Sequence, residues 1–280
     1  LETALERSDG DVSLYVHIPF CEEICFYCGC NTARSGKRER VKAYLAALHH
    51  ELESVAHLLS PSAKVRRIAF GGGSPNAVEP DEFLTLIDGL ADHFGLTQCE
   101  YSIELAPRTM TAEWGRALGQ VGVTRASIGV QTFAPHCQIA IGREQDEAMI
   151  ARSVDWLRVA GVASLNFDLM YGLPHQSYAD LEDSLERTQR LGADRVAVFG
   201  YAHVPHFVPR QRVIDASALP PSETRFKMAQ RSYEHLTQSG YKPIGFDHFA
   251  MPDDPMAKAA RTGALRRNFQ GFTDDPSPTL

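Results

Sequence analysis

The chain has 280 residues, of which 44% are hydrophobic and 22% are charged, an ordinary globular composition that suits one large α/β domain with a full core. Its 28 basic and 35 acidic residues give a formal net charge of -7, which argues against a general nucleic-acid binder. No apolar run approaches the ~20 residues of a membrane-spanning helix, and no secretory signal opens the sequence. We therefore expect a cytoplasmic protein that does not insert into a membrane.

Both ends of the sequence look truncated. The first residue is Leu1 rather than Met, and a tail rich in proline and aspartate stops at Leu280. We expect a fragment of a longer protein, with residues 1–12 forming a polar N-terminal arm.

Four of the six cysteines lie within ten residues, directly after an apolar run at Ser13–Ile18 that predicts a strand. Their spacing is C-x3-C-x2-C-x-C. Thiols this dense in an intracellular chain favour metal ligation over disulfides. If only the first three bind, one iron of a [4Fe–4S] cluster stays open to a small ligand, and an open iron is a reaction site. The four cysteines are Cys21, Cys25, Cys28 and Cys30.

Two other interpretations of this stretch are weaker. The first three cysteines share one face of a helix by spacing, but Pro19 before them and Gly29 among them suit a loop better. A structural zinc site would need a second Cys or His pair set well apart, which the sequence lacks. Cys99 and Cys137 stand alone, and we expect them to fill space in the core.

Short apolar strands alternate with helices along the next part of the chain, which is typical of a parallel sheet covered by helices. Eight strand–helix units would close a full barrel, so six predict an open, three-quarter TIM-like (β/α)6 barrel. The strands are predicted at Ser13–Ile18, Val65–Phe70, Glu100–Leu105, Arg125–Gln131, Ala163–Tyr171 and Arg195–Tyr201, with helices near 41–59, 80–94, 112–120, 146–160 and 178–191.

The pattern changes after the sixth strand. Residues 204–218 are rich in proline and predict a loop, and residues 222–240 form an amphipathic helical pattern. Residues 242–249 predict one added strand bearing Asp247 and His248. We therefore expect a core barrel at 13–240 and an extension at 241–280.

Ligands of such folds lie at the carboxyl ends of the strands. The turn Gly71–Pro75 follows the second strand, and its glycines allow close approach of the backbone to a ligand. Asp168 lies in an otherwise apolar strand, where a buried carboxylate needs a hydrogen-bonding partner. This shared geometry predicts one site. Its candidates are residues 21–30 and 71–74, Glu104, Gln131, Arg143, Asp168 and Ala202.

The cysteine triplet after a strand resembles the radical S-adenosylmethionine (SAM) enzymes. The longer stretch Tyr-Val-His-Ile-Pro-Phe-Cys-x3-Cys-x2-Cys-Gly-Cys, at 15–30, resembles the oxygen-independent coproporphyrinogen III oxidase group. Cys30 separates these oxidases from haem-chaperone relatives, which usually carry Phe at that position. The segments 247–249 and 268–271 point the same way, and the resemblance runs from Leu14 to about Thr273.

The resemblance implies the radical SAM barrel fold and a set of roles. A [4Fe–4S] cluster would bind three cysteines and would chelate SAM, and its reduction would yield a 5′-deoxyadenosyl radical. Cys30 would be a catalytic residue near the cluster. The implied cluster ligands are Cys21, Cys25 and Cys28; the implied contacts to the first SAM are Tyr15, Gly72, Glu104 and Ala202; those to a second SAM are Tyr27, Gly73, Ser74, Gln131, Arg143 and Asp168.

The implied reaction is oxidative decarboxylation of two propionates of coproporphyrinogen III to vinyl groups, which gives protoporphyrinogen IX in anaerobic haem biosynthesis. Each propionate loses a hydrogen atom from its β-carbon, then CO2 and one electron. The implied partners are coproporphyrinogen III and a low-potential electron donor of the flavodoxin or ferredoxin type. The resemblance also implies a monomer and a further C-terminal domain beyond this sequence.

Four positions depart from the family pattern. Ser74 stands in place of Thr, Ala106 and Thr132 in place of Asp, and Gly142 in place of Asn. The departures at Ala106 and Thr132 keep open a radical SAM enzyme that acts on another tetrapyrrole, such as a haem-opening methyltransferase. A haem chaperone without oxidase activity is a further alternative. A plain ferredoxin-like electron carrier fits poorly with three cluster ligands and a complete SAM-type pocket.

Overall fold

Strands and helices alternate along the protein in a computed structural model that describes residues 10–280. The strands are β1 Asp11–Ile18, β2 Phe20–Cys21, β3 Ala33–Arg34, β4 Lys64–Gly72, β5 Glu100–Leu105, β6 Arg125–Gln131, β7 Ser164–Tyr171, β8 Arg195–Gly200, β9 Lys242–Gly245, β10 His248–Ala250, β11 Arg266–Asn268 and β12 Gly271–Thr273. The helices are α1 Arg38–Leu58, α2 Pro80–Phe94, α3 Ala112–Val121, α4 Pro135–Ala140, α5 Glu147–Val159, α6 Tyr178–Arg190, α7 Ser222–Gln238 and α8 Pro255–Thr262.

One eight-stranded sheet forms the centre of the molecule, in the order β1-β4-β5-β6-β7-β8-β10-β9. Its first six strands are parallel, and a helix follows each of the first five before the next strand begins. All six predicted strands are present, and their ends agree with the prediction to within two residues. The expected α/β fold with an open six-stranded barrel is therefore confirmed.

The two faces of the sheet differ in polarity. In β7, Leu165, Phe167 and Leu169 are fully buried in the main hydrophobic core. Asn166 and Asp168 alternate with them and point to the opposite face, because successive side chains of a strand alternate. Burying the apolar face against the helices supplies most of the stability of such a sheet. The interior of the barrel is left free for polar side chains.

The single strand predicted for residues 242–249 is wrong. The segment is a hairpin of β9 and β10, and Asp247 lies in its turn with a φ of 56°. Both arms carry apolar residues, and the turn at Phe246–Asp247 contains neither glycine nor proline, so the pattern gives little sign of the reversal. Strand β10 pairs antiparallel with β8, which extends the barrel sheet beyond its six parallel strands.

Other short elements were not anticipated. Among them are α4, α8, the short parallel pair of β2 and β3, and the antiparallel hairpin of β11 and β12, which forms a separate two-stranded sheet. The loop predicted at 204–218 is present and includes two short 3-10 turns. Of the predicted N-terminal arm, residues 1–9 lie outside the described part of the chain, whereas Asp11 and Val12 belong to β1.

Ion pairs tie the last residues of the chain to the amino-terminal ends of the strands. Arg67 of β4 donates to Asp274 at 2.6 Å, and Arg125 of β6 donates to both of its carboxylate oxygens at 2.7 and 2.8 Å. Burial by itself raises the pKa of Asp274, but the hydrogen bonds from Arg125 and Arg67 outweigh it and hold that pKa well below the usual range. The ionised carboxylate is therefore the form that stabilises the fold.

We predict that Asp274→Asn lowers the free energy of unfolding at pH 7 by about 2 kcal/mol, the usual scale of a hydrogen bond to a charged group. A carboxylate with a depressed folded pKa stabilises the protein fully above its unfolded pKa, near 4. This contribution is lost as the pH falls through the lower folded pKa. Urea unfolding between pH 2 and pH 7 measures the difference between wild type and variant, which should shrink below about pH 4.

The matched control is Asp92→Asn, at an exposed aspartate of α2. If Asp274→Asn and Asp92→Asn gave the same small change at every pH, the ion pairs of Asp274 would not stabilise the fold.

Candidate active site

Four cysteines line one cavity of about 340 Å³ at the carboxyl ends of the parallel strands. They belong to the loop between β1 and α1, here called the cysteine loop (residues 19–37), and all are free thiols. Two bonds fix this loop to distant segments. The Phe26 N–H donates to the Ile141 carbonyl at 2.9 Å, and Gln211 Nε2 donates to the Tyr27 carbonyl at 3.0 Å.

A buried arginine contacts the cysteine loop from the adjacent strand ends. Arg143 donates to the Gly129 carbonyl through Nε at 3.1 Å and Nη2 at 2.6 Å, and its Nη1 lies 3.3 Å from Cys25 Sγ. Among residues 10–280, no carboxylate lies within ion-pair distance of this guanidinium. A buried cation needs a negative partner, and the sulfur of a metal-bound Cys25 would supply one. This donor set fits a metal–sulfur cluster held by thiolates.

The other cysteines of the loop differ in their protonation. A hydrogen bond from the Cys30 side chain lowers the pKa of Cys28 to about 6, and the same bond raises the pKa of Cys30 above its ordinary value. Burial raises the pKa of Cys21 to about 11. Without metal, Cys28 is therefore a readier thiolate near neutral pH than Cys21 or Cys30.

The glycine-rich turn after β4 is bonded to the ends of β1 and β2 on one side and to the residue that follows β5 on the other. Gly73 N–H donates to the Ile18 carbonyl at 2.9 Å, and Ser74 N–H donates to the Phe20 carbonyl at 2.7 Å. The Ser74 hydroxyl bonds Asn76 Oδ1 at 2.6 Å, and Asn76 Nδ2 reaches the Ala106 carbonyl, beyond β5, at 2.9 Å. A Cβ on Gly73 would lie 2.6 Å from the Phe20 carbonyl oxygen, so only glycine fits there.

Two carboxylates line the same cavity. Asp168 accepts hydrogen bonds of 2.8 Å from Ser127 Oγ and Asn166 Nδ2, yet desolvation by the barrel raises its pKa. Desolvation also raises the pKa of Glu104 to about 7, and the charge of Asp168 adds to this, whereas the Gly72 N–H lowers it. Such carboxylates suit the hydroxyl and ammonium groups of a ligand.

Most of the predicted site residues meet at this cavity. Gln131 among them has a φ of 68°, in the left-handed region of backbone conformation. This conformation is uncommon for a residue other than glycine and is found at functional sites. The predicted residues that line the cavity are Cys21, Cys25, Cys28, Cys30, Tyr27, Gly72, Gly73, Ser74, Glu104, Gln131, Arg143 and Asp168.

Two predicted residues lie outside the cavity wall. Tyr15 is its neighbour, since a Cβ on Gly71 would lie 2.9 Å from the Tyr15 hydroxyl and 2.8 Å from Glu104 Oε2. Ala202 is joined to the cavity wall through the side chain of Gln211. Its carbonyl accepts a hydrogen bond of 3.1 Å from Gln211, which also bonds Tyr27.

Among the residues of the cavity wall that the sequence did not single out are Arg108, Met170 and Phe199. Each lies at or just beyond a strand end, so the rule that ligands bind at the carboxyl ends could have found them. Arg108 is the most polar of them, and it follows β5 by three residues.

Two of the departures from the family pattern do not alter the cavity wall that residues 10–280 define. Thr132 is fully buried, with its hydroxyl 3.4 Å from that of Ser184. Gly142 has a φ of 64° and packs against the ring of Phe26. Ala106 does line the cavity, and its backbone N–H and carbonyl are both bonded to Asn76.

The model of the radical SAM superfamily matches residues 15–188, and the chain belongs to this superfamily. Its members use a [4Fe–4S] cluster and SAM.

None of the helices within residues 10–280 has the length and hydropathy of a membrane-spanning segment.

The chain is similar to proteins named oxygen-independent coproporphyrinogen III oxidase. That of Bradyrhizobium diazoefficiens is 45% identical over 272 residues, which are 97% of this chain and 60% of the relative. That of Cereibacter sphaeroides is 44% identical over 280 residues, covering 99% of this chain and 62% of the relative. The solved coproporphyrinogen III oxidase of Escherichia coli, a radical SAM enzyme, superposes with a TM-score of 0.94 at 37% identity, covering 100% of this chain and 64% of that one. The chain thus spans about 60% of the length of the curated relatives.

We predict that Gly73→Ala displaces the turn after β4 from the cysteine loop, because the added methyl meets the Phe20 backbone. The variant should lose about 1–3 kcal/mol of stability, the usual cost of overpacking. It should also bind SAM more weakly. Thermal unfolding and equilibrium dialysis with SAM measure the two effects.

Gly36→Ala is the matched control, because a Cβ there has no atom within 4 Å. Equal stability and equal SAM binding of the two variants would contradict the close packing at Gly73.

Proposed function

We propose that this chain is the catalytic barrel of an oxygen-independent coproporphyrinogen III oxidase. The observation that carries the proposal is the meeting of four cysteines, a glycine-rich turn and two carboxylates in one cavity. The relatives at 44–45% identity bear the name of this activity, so neither a haem chaperone nor a haem-opening methyltransferase is favoured. The substrate would be coproporphyrinogen III, two of whose propionates become vinyl groups.

We assign the cluster to Cys21, Cys25 and Cys28, which share the cavity. When bound, the reduced cluster and SAM supply a 5′-deoxyadenosyl radical that removes a hydrogen atom from the propionate β-carbon. The protein holds the reacting groups together and keeps water and oxygen out. The substrate radical then loses CO2 and one electron to become the vinyl group. That electron passes to an external acceptor.

The glycine-rich turn and the carboxylates are assigned to SAM. Glu104 and the backbone of Gly72 suit its ammonium group, with Tyr15 and Ala202 as further contacts. Arg143 suits the carboxylate of a second SAM, since a guanidinium pairs well with a carboxylate. Asp168 suits a pair of ribose hydroxyls. The remaining second-SAM contacts are Tyr27, Gly73, Ser74 and Gln131.

Cys30 is assigned a catalytic role beside the cluster. Its backbone N–H donates to Cys28 Sγ at 3.4 Å, so Cys30 lies beside an assigned cluster ligand. It lines the cavity and is exposed to it, so it can meet the substrate.

The proposed reaction also sets the partners. A flavodoxin- or ferredoxin-type protein would supply the low-potential electron, and the enzyme would act as a monomer. We place it in the cytoplasm, where free thiols such as the six of this chain persist.

The decisive experiment is anaerobic incubation of the reconstituted protein with reductant, SAM and coproporphyrinogen III. We expect 5′-deoxyadenosine together with porphyrin products that have lost CO2, read by mass spectrometry. Cys25→Ala should abolish iron binding and both products, because it removes a cluster thiolate. Cys99→Ala, outside the cavity, should leave both unchanged.

Three results would go against the proposal. Products that gain a methyl group would favour the methyltransferase, and haem binding without SAM cleavage would favour the chaperone. SAM cleavage by Cys25→Ala without a cluster would refute the ligand assignment.

A second prediction follows from Glu104. With a pKa of about 7, this carboxyl is largely neutral at pH 6 and ionised at pH 8, so its attraction for the SAM ammonium grows with pH. We expect Glu104→Gln to weaken SAM binding roughly tenfold at pH 8, or ~1.4 kcal/mol, and less at pH 6. Equilibrium dialysis at the two pH values measures this, and the ratio of variant to wild type cancels the titration of SAM itself.

The control for this prediction is Glu113→Gln, at an exposed carboxyl of α3. An equal ratio for Glu104→Gln at pH 6 and pH 8 would mean that the charge of Glu104 does not contact SAM.

A further inference from the structure

A second arginine reaches the cysteine loop from the end of β5. Arg108 lies in the 3-10 turn Pro107–Thr109, and its side chain is only 15% exposed. Its Nη2 lies 3.5 Å from Cys25 Sγ, and its Nη1 donates to Glu23 Oε2 at 2.9 Å. One guanidinium therefore contacts both a cysteine sulfur and a carboxylate of the same loop.

The sulfur of Cys25 is bracketed by two cations. Arg143, which follows β6, lies 3.3 Å from it, and Arg108, which follows β5, lies 3.5 Å from it. Cys25 itself is 5% exposed, so solvent screens these contacts little. Because Arg143 is also bonded to the Gly129 carbonyl, its position is set by the barrel alone. The direction of the Arg108 guanidinium instead depends on its ion pair with Glu23, which belongs to the same cysteine loop as Cys25.

Hydrogen bonds to cluster sulfurs and nearby charge are among the factors that set the potential of an iron–sulfur cluster. A cation beside a ligand sulfur stabilises the reduced state, which carries one more negative charge. Loss of that cation makes reduction less favourable. The contact of Glu23 with Arg108 is weak as a source of stability, since Glu23 is 68% exposed, but it fixes the direction of the guanidinium.

We propose that Arg108 is a positioning residue of the cluster, whose contact with Cys25 favours one-electron reduction and whose direction is set by Glu23. The inference rests on the proposed assignment of Cys25 as a cluster ligand. It predicts that the electron needed for SAM cleavage reaches the cluster less readily when Arg108 is lost, although the fold and the three cysteines remain.

The test is a reductive titration of the reconstituted protein, followed by electron paramagnetic resonance. Arg108→Met should reduce the equilibrium constant for one-electron reduction at least tenfold, which is ~59 mV for a one-electron couple. Arg108→Lys, which keeps the charge, should recover part of the shift. Glu23→Gln should shift the potential by less than Arg108→Met, because loss of the contact with Arg108 and loss of a nearby negative charge act in opposite directions.

The matched control is Arg116→Met, because Arg116 also pairs with a glutamate of its own region, Glu113, but is 66% exposed on α3. The reduction potential of the cluster in Arg116→Met should equal that in the wild-type protein. Hydrogen exchange of the metal-free proteins gives a second measurement, in which Arg108→Met should speed exchange at residues 21–28 and Arg116→Met should not.

A wild-type potential in Arg108→Met would overturn this inference. If Arg108→Met took up no iron, hydrogen exchange of the metal-free proteins would decide, and wild-type exchange at residues 21–28 would again overturn it. Failure of the wild-type protein to bind a cluster would instead refute the proposed function. The two failures are therefore distinguishable.

Discussion

Parallel strands of one sheet present their carboxyl ends at the same edge, and the site of this protein depends on that constraint. The cysteine loop leaves β1, the glycine-rich turn leaves β4, and Arg108 leaves β5. These segments are distant in sequence, yet short bonds join them, such as that from Gly73 N–H to the Ile18 carbonyl at 2.9 Å.

Charge is distributed unevenly around the cavity. Two guanidiniums lie against the sulfur of Cys25, and two carboxylates, Glu104 and Asp168, line the same cavity from the strand ends. Cations beside sulfur favour thiolates and a reduced cluster, whereas the carboxylates suit the ammonium and hydroxyl groups of SAM. Desolvation, with the nearby charge of Asp168, raises the pKa of Glu104. At the opposite end of the barrel, Asp274 neutralises Arg67 and Arg125.

Much of the fold could be predicted because the face of each parallel strand that packs against the helices must be apolar, and this pattern is visible in the sequence. The hairpin of β9 and β10 was missed because its turn at Asp247 lacks glycine and proline. Arg108 was missed because nothing in its local sequence separates it from a surface arginine. Thr132 was suspected of altering the site, but its side chain bonds within the core near Ser184.

The sequence by itself determined the order of strands and helices, the cysteine spacing and the positions that fall at strand ends. Each of these is a local pattern, set by side-chain polarity and by the period of the backbone. Only the tertiary structure decided which groups meet: Arg143 and Arg108 at the sulfur of Cys25, and Asp168 with Ser127 and Asn166. Contacts between residues that are 80 or more positions apart, such as that of Arg108 with Cys25, arise from packing, which no local pattern encodes.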